Sequence, residues 1–279
     1  MNPDGHVRDV MTPSRLAASV TRHPVLGAFS VAGYPDVPRS AEAFLAFTRS
    51  GAGLLEVGVP AVDPWLDGPS ISDAHEIALR AGDGIATAVE TIRLVTAETD
   101  RPVFGMAYWD TVRQFGPERF VREIAAAGAA GCLIADVAGQ SRARWAEAAS
   151  KAGLAAPFLV DRGAEHGESE AICRAATGFV YVPAAGGQRT GYSAQLDLHA
   201  LDACVEVVRR AAPSTPVLTG IGVSTPKMAA AVVARCDVDG VVVGSPLVRA
   251  LSDGGPDAAA ALVAKFVASV SSVVPEVAA

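Results

Sequence analysis

Pro216-Val217-Leu218-Thr219-Gly220-Ile221-Gly222 and Gly240-Val241-Val242-Val243-Gly244-Ser245 share one construction, a short branched apolar run that ends in glycine. A run of this kind, without polar alternation, reads as a strand covered on both faces, as in a parallel sheet. Six more stretches upstream fit the same description: 25–31 (VLGAFSV), 54–59 (LLEVGV), 102–109 (PVFGMAYW), 131–137 (GCLIADV), 157–161 (PFLVD) and 178–183 (GFVYVP). Between them lie segments of helical periodicity at 41–50, 84–99, 117–127, 142–151, 168–176, 196–211 and 226–234. Alternation of strand and helix implies right-handed crossovers and a parallel sheet. Eight strands favour closure, so the sequence predicts an α/β fold, a (β/α)8 TIM barrel filling residues 1–279 as a single domain. An extra N-terminal helix is expected at 7–19 and a last outer helix at 257–273.

Composition narrows the function. The chain has 279 residues, half of them apolar, and a net charge of −7 with its Lys and Arg scattered. That balance argues against nucleic acid or an anionic membrane as partner. Cys132, Cys173, Cys204 and Cys236 form no CxxC pair and read as free buried thiols of a reducing compartment. No apolar leader core or membrane-length run is present, so a cytoplasmic protein is expected. The histidines lie off the predicted strands without metal-ligand spacing, which speaks against a zinc barrel. Lys151, Lys227 and Lys265 fall in helices, which speaks against imine chemistry.

In such barrels the chemistry sits on the loops that follow the strands. Gly220, Gly222, Gly244 and Ser245 occupy the ends of strands seven and eight, and Gly191 closes a Gly-rich sixth loop. Glycine lets backbone N–H groups approach an anion, and a following helix adds its unpaired amides, so these positions predict a phosphate cradle, with Arg189 as an optional aid. The second strand carries Glu56 among apolar residues, and the next loop adds Asp63 and Asp67. A carboxylate buried in a strand is costly unless paired or functional. An inward acid beside an acid on a mobile loop suits acid–base chemistry, one desolvated and one ionised.

LLEVGVPAVDPWLDGPSI (54–71) resembles the signature of the tryptophan synthase α-subunit family, LE-x-G-x-P-x-x-DP-x-x-DGP. PVLGAFSVAGYPD (24–36), MAYWDTVRQFG (106–116), GCLIADV (131–137), GFVYVPAAGGQRTG (178–191), LTGIGVSTP (218–226) and VVVGS (241–245) are similar to other family segments in the same order. The resemblance implies a lyase that splits indole-3-glycerol phosphate into indole and glyceraldehyde 3-phosphate by retro-aldol cleavage, with no metal and no organic cofactor. It casts Glu56 as the acid/base that protonates indole C3. Asp67 would be the carboxylate that receives the indole N–H, and Tyr181 the tyrosine beside the glutamate. Phe29, Tyr108 and Ile221 would be walls around the ring, and Gly191, Gly220, Gly222, Gly244 and Ser245 the phosphate cradle. A tryptophan synthase β subunit is the partner the family implies. Asp110, Pro183, Ala184 and the turn at Asp161-Arg162 depart from the family pattern, so a free-standing indole-releasing enzyme stays open beside the α subunit. The alternative is a non-catalytic barrel that binds a phosphorylated ligand and regulates a partner.

Overall fold

Eight parallel strands carry the site: β1 (Val25–Val31), β2 (Leu54–Gly58), β3 (Val103–Ala107), β4 (Gly131–Ile134), β5 (Phe158–Leu159), β6 (Val180–Val182), β7 (Val217–Thr219) and β8 (Gly240–Val243). They belong to a computed structural model that describes residues 24–187, 190–191 and 195–273. The strands are joined in the order β4-β3-β2-β1-β8-β7-β6-β5. A parallel bridge from Gly131 to Ala155 brings β4 to the start of β5 and closes the barrel. There the Cys132 amide donates to the Ala155 carbonyl at 3.0 Å, and the Ala155 amide to that of Ala130 at 3.0 Å.

Ten helices wrap this sheet among the described residues: α1 (Val37–Arg49), α2 (Pro69–Ala81), α3 (Gly84–Glu98), α4 (Trp109–Phe115), α5 (Pro117–Ala126), α6 (Gly139–Lys151), α7 (His166–Ala175), α8 (Leu198–Ala211), α9 (Pro226–Arg235) and α10 (Ser245–Ser271). Local chemistry sets their starts. Asp36, Asp83, Asp197 and Thr225 cap α1, α3, α8 and α9 by accepting backbone amides of the first turn. Pro69, Pro117 and Pro226 open their helices, where the missing N–H is no loss.

Register decides what faces the barrel interior. Glu56 pairs with Phe29 of β1 and Phe104 of β3, so the three side chains share one face of the sheet. Phe104 meets Phe179 edge-on at 5.1 Å, a buried aromatic layer that contributes to the apolar surroundings of the glutamate.

The observed elements depart from the predicted ones at instructive places. The third strand was expected to run to Trp109, but it stops at Ala107. The Asp136 carboxylate takes the Trp109 amide at 2.6 Å, so the chain turns into α4. No helix was expected between the second loop and residue 84, yet α2 fills that interval. Gly68-Pro69-Ser70 reads as a turn, while the helical spacing of Ile71, Ala74, His75 and Ala78, all buried, lies just behind it. The helix expected at 257–273 is the second half of α10, which starts at Ser245 and kinks at Gly254-Gly255. The helix expected at 7–19 lies outside the described residues.

Candidate active site

A cavity of about 400 Å³ opens at the carboxyl ends of the strands. Glu56, Asp67 and Tyr181 line it together with Phe29 and Ile221, and Gly191, Gly220, Gly222, Gly244 and Ser245 line it as well. The expected acid pair, the two walls and the glycine ends therefore meet in one space. Met106, Leu133, Ala135 and Leu159 complete an apolar slot. Asp63 is exposed and does not join it.

Glu56 is 5% exposed, and its Oε1 has no hydrogen-bond partner. Burial, and to a lesser degree the charge of Asp67, push its carboxyl up to about 8. Desolvation disfavours the charged form, so near neutral pH Glu56 holds a proton that it can give away. Tyr181 is buried beside it, and burial with the nearby Glu56 pushes the phenol well above its ordinary range. The Ile221 amide donates to the Tyr181 hydroxyl oxygen at 2.9 Å, which fixes the ring and leaves the phenolic proton directed elsewhere.

Asp67 is held quite differently. Tyr108 Oη donates to its Oδ2 at 2.7 Å, His75 Nε2 stands 3.3 Å from the same oxygen, and Thr190 Oγ1 donates to Oδ1 at 3.2 Å. Its side chain is 1% exposed. The same threonine joins two loops. Its hydroxyl accepts the Gly68 amide at 2.7 Å, and its own amide donates to the Leu66 carbonyl at 2.9 Å. A Cβ on Gly68 would meet the Thr190 carbonyl oxygen at 2.7 Å, so only glycine permits this approach. The acid expected on a mobile loop is thus seated and sealed by the sixth loop. Arg162 Nη1 donates to the Ala184 carbonyl at 2.7 Å and ties the base of that loop to the end of β5.

One expected role needs correction. Tyr108 was placed in the indole wall, but it is not among the cavity-lining residues. It is buried in a small cluster with Ala61 and Leu66, and its hydroxyl points to Asp67. Burial first, then Asp67, push that phenol far above its ordinary range, so it remains a donor. Gly220 was placed in the phosphate cradle. It does line the cavity, yet a Cβ there would lie 2.2 Å from Tyr181 Oη and 2.4 Å from the Val242 carbonyl oxygen. Its bareness also leaves room for the tyrosine.

The remaining glycine end is suited to an anion. Gly244 precedes the first turn of α10, and Ser245 begins it, so helix-terminal amides and their dipole are aimed at the cavity rim. Ser224, Thr225 and Arg249 line the same end. Arg189 lies outside the described residues. Thr190, His75 and Arg162 were not foreseen as site residues. For His75 the signal was its place on the apolar stripe of α2.

Comparison with known proteins agrees over nearly the whole chain. Residues 18–274 match the family model described as tryptophan synthase alpha chain. The tryptophan synthase alpha chain of Streptomyces coelicolor is 40% identical over 245 residues, 87% of this chain and 88% of that one. A solved structure of tryptophan synthase from Mycobacterium tuberculosis superposes with a TM-score of 0.84 at 32% identity, covering 94% of this chain and 99% of that one. A mutant tryptophan synthase alpha subunit from Pyrococcus furiosus gives 0.77 at 26% identity, covering 87% and 96%. Matched by that family model over residues 18–274 and by these relatives over most of its length, the chain belongs to the tryptophan synthase alpha chain family.

Proposed function

We infer that this chain, read as one barrel domain, is a lyase that cleaves indole-3-glycerol phosphate to indole and glyceraldehyde 3-phosphate. The observation that carries this reading is the pairing of a buried, apolar-walled Glu56 with a donor-bound Asp67 across one slot that ends in glycine residues.

Indole leaves poorly from carbon until C3 is protonated. Glu56 in its neutral form supplies that proton, and the ring nitrogen then takes on positive charge. Asp67 accepts the ring N–H and stabilises that charge, the more strongly because the slot is largely apolar. The bond from C3 to the carbinol carbon then breaks and its electron pair returns to the ring. The carbinol hydroxyl becomes the aldehyde and its proton passes to the Glu56 carboxylate, restoring the starting acid. Phe29, Leu133 and Ile221 clasp the ring, and the amides around Gly191, Gly222, Gly244 and Ser245 take the phosphate.

A β subunit fits the outer side of the same loop. Val62 is 90% exposed and Trp65 48% exposed, and both stand on the turn that ends in Asp67. Trp65 Nε1 donates to Asp136 at 3.3 Å, the residue that also starts α4, so a partner seated there would touch the loop carrying the acid. Exposed apolar groups rimmed by polar ones mark protein contacts. The test is to incubate the purified chain with indole-3-glycerol phosphate and follow indole, with and without a tryptophan synthase β subunit. Release that rises with the β subunit, and rises less in Val62→Asp, supports both parts. No release in either condition sinks the lyase reading and leaves the regulatory barrel.

A further inference from the structure

His75 is a buried polar side chain that the reaction outlined above does not use. It lies on α2 between the apolar contacts of Ala74 and Ala78, is 1% exposed, and does not line the cavity. Its ring stands edge-on to Tyr108 with centroids 6.4 Å apart. Both ring nitrogens are engaged. The Ala61 amide donates to Nδ1 at 3.2 Å, and Nε2 faces Asp67 Oδ2 at 3.3 Å.

These contacts settle the tautomer by donor logic. A backbone N–H can only donate, so Nδ1 must present its lone pair. The proton then sits on Nε2 and points to the carboxylate. An imidazolium would turn a second N–H against the Ala61 amide, so the fold selects the neutral ring. Tyr108 and Thr190 are also neutral donors. An arginine or lysine would hold the carboxylate equally well but would cancel its charge. Three neutral donors hold it and leave the charge available to a cation forming on the substrate. The imidazole also spans the catalytic loop, touching Ala61 near its start and Asp67 near its end.

We propose that His75 is a positioning residue: a neutral imidazole, fixed in its Nε2–H form by the Ala61 amide, that aims Asp67 at the indole nitrogen without neutralising it. This rests on the lyase reading. It would add a buried strut outside the cavity to the acids that touch substrate.

The test uses the full chain, with the β subunit present if it is needed for turnover. His75→Leu removes both hydrogen bonds at similar volume. His75→Gln can still donate to Asp67 and accept from Ala61. Loss of a hydrogen bond to a charged group predicts that His75→Leu lowers kcat by about 10- to 100-fold while KM changes by less than about twofold. His75→Gln should recover kcat to within about fivefold of wild type. Equal losses in both variants would reduce His75 to packing and overturn the proposal, as would an unchanged kcat in His75→Leu or a loss carried by KM alone. Should His75→Leu not fold, ¹⁵N-imidazole NMR of the wild type decides, with the His75 signals assigned by their absence in His75→Gln. A protonated Nε2 with a bare Nδ1 at pH 7.5 is expected, and the opposite tautomer or an imidazolium overturns the proposal. A wild type that turns nothing over overturns the lyase reading and this inference with it. An active wild type beside an unaffected His75→Leu overturns this inference alone.

Discussion

Glu56 stands on a strand with no donor on its buried Oε1, whereas Asp67 stands on a loop with Tyr108, His75 and Thr190 around its two oxygens. Both acids are buried and both face one cavity. They differ most in what surrounds them. Apolar walls keep the first a proton donor, and three donors make the second an acceptor. The difference teaches that side-chain type does not assign a catalytic role in this barrel; the neighbours do.

The comparison breaks most visibly if the roles can be exchanged. Glu56→Gln should lower kcat by about 10³-fold, the range general acid catalysis supplies, while the substrate still binds. Asp67→Asn should lower kcat by about 10²- to 10³-fold through loss of charge stabilisation. Steady-state indole release and a binding isotherm check both, and wild-type turnover in either variant would end the assignment.

A stability measurement sharpens the same contrast. The folded Glu56 carboxyl titrates at about 8 against an ordinary 4.5, so the native chain holds a proton that the unfolded chain has released. Native stability from this group is therefore lost as pH rises toward 8. Glu56→Gln carries no such charge, so its advantage over wild type should grow by roughly 2–3 kcal/mol between pH 6 and pH 9. Denaturant unfolding at the two pH values reads this directly, and a constant difference would remove the buried neutral acid from the mechanism. The same ionisation predicts that kcat/KM falls as pH passes about 8.

Smaller effects test the Asp67 side. Tyr108→Phe deletes one donor to the carboxylate without touching the cavity wall and should lower kcat about tenfold with little change in KM. A change confined to KM would return Tyr108 to the indole pocket. Thr190→Val keeps the shape and the backbone bond to Leu66 but loses the hydroxyl's bonds to Gly68 and Asp67, and should lower kcat and raise KM by a few-fold each. Unaltered constants would show that the sixth loop does not seal the site.

Much of this was legible in the sequence. The eight apolar runs announced the barrel because a strand covered on both faces has no polar alternation to hide. Glu56 announced itself as a charge inside such a run, and the glycine ends as places where backbone meets an anion. What could not be read is long-range. Thr190 is 123 positions from Asp67, and its hydroxyl means nothing until the sixth loop folds over the second. Tyr108 was placed in the indole wall and His75 was given no role, because their partner is a carboxylate brought to them by the fold. That Gly220 also leaves room for Tyr181 was hidden because the glycine follows one strand and the tyrosine lies on another. The α2 helix was missed for a local reason, since its first turn carries the residues of a bend.

The Thr190 hydroxyl bonds Gly68 and Asp67 at once. Shutting the chamber and arming the carboxylate are consequently a single event. Whenever that hydroxyl moves away, the carboxylate keeps Tyr108 and His75 on one oxygen and loses the donor on the other. One side chain thereby couples the seating of the sixth loop to the last donor that the acid receives.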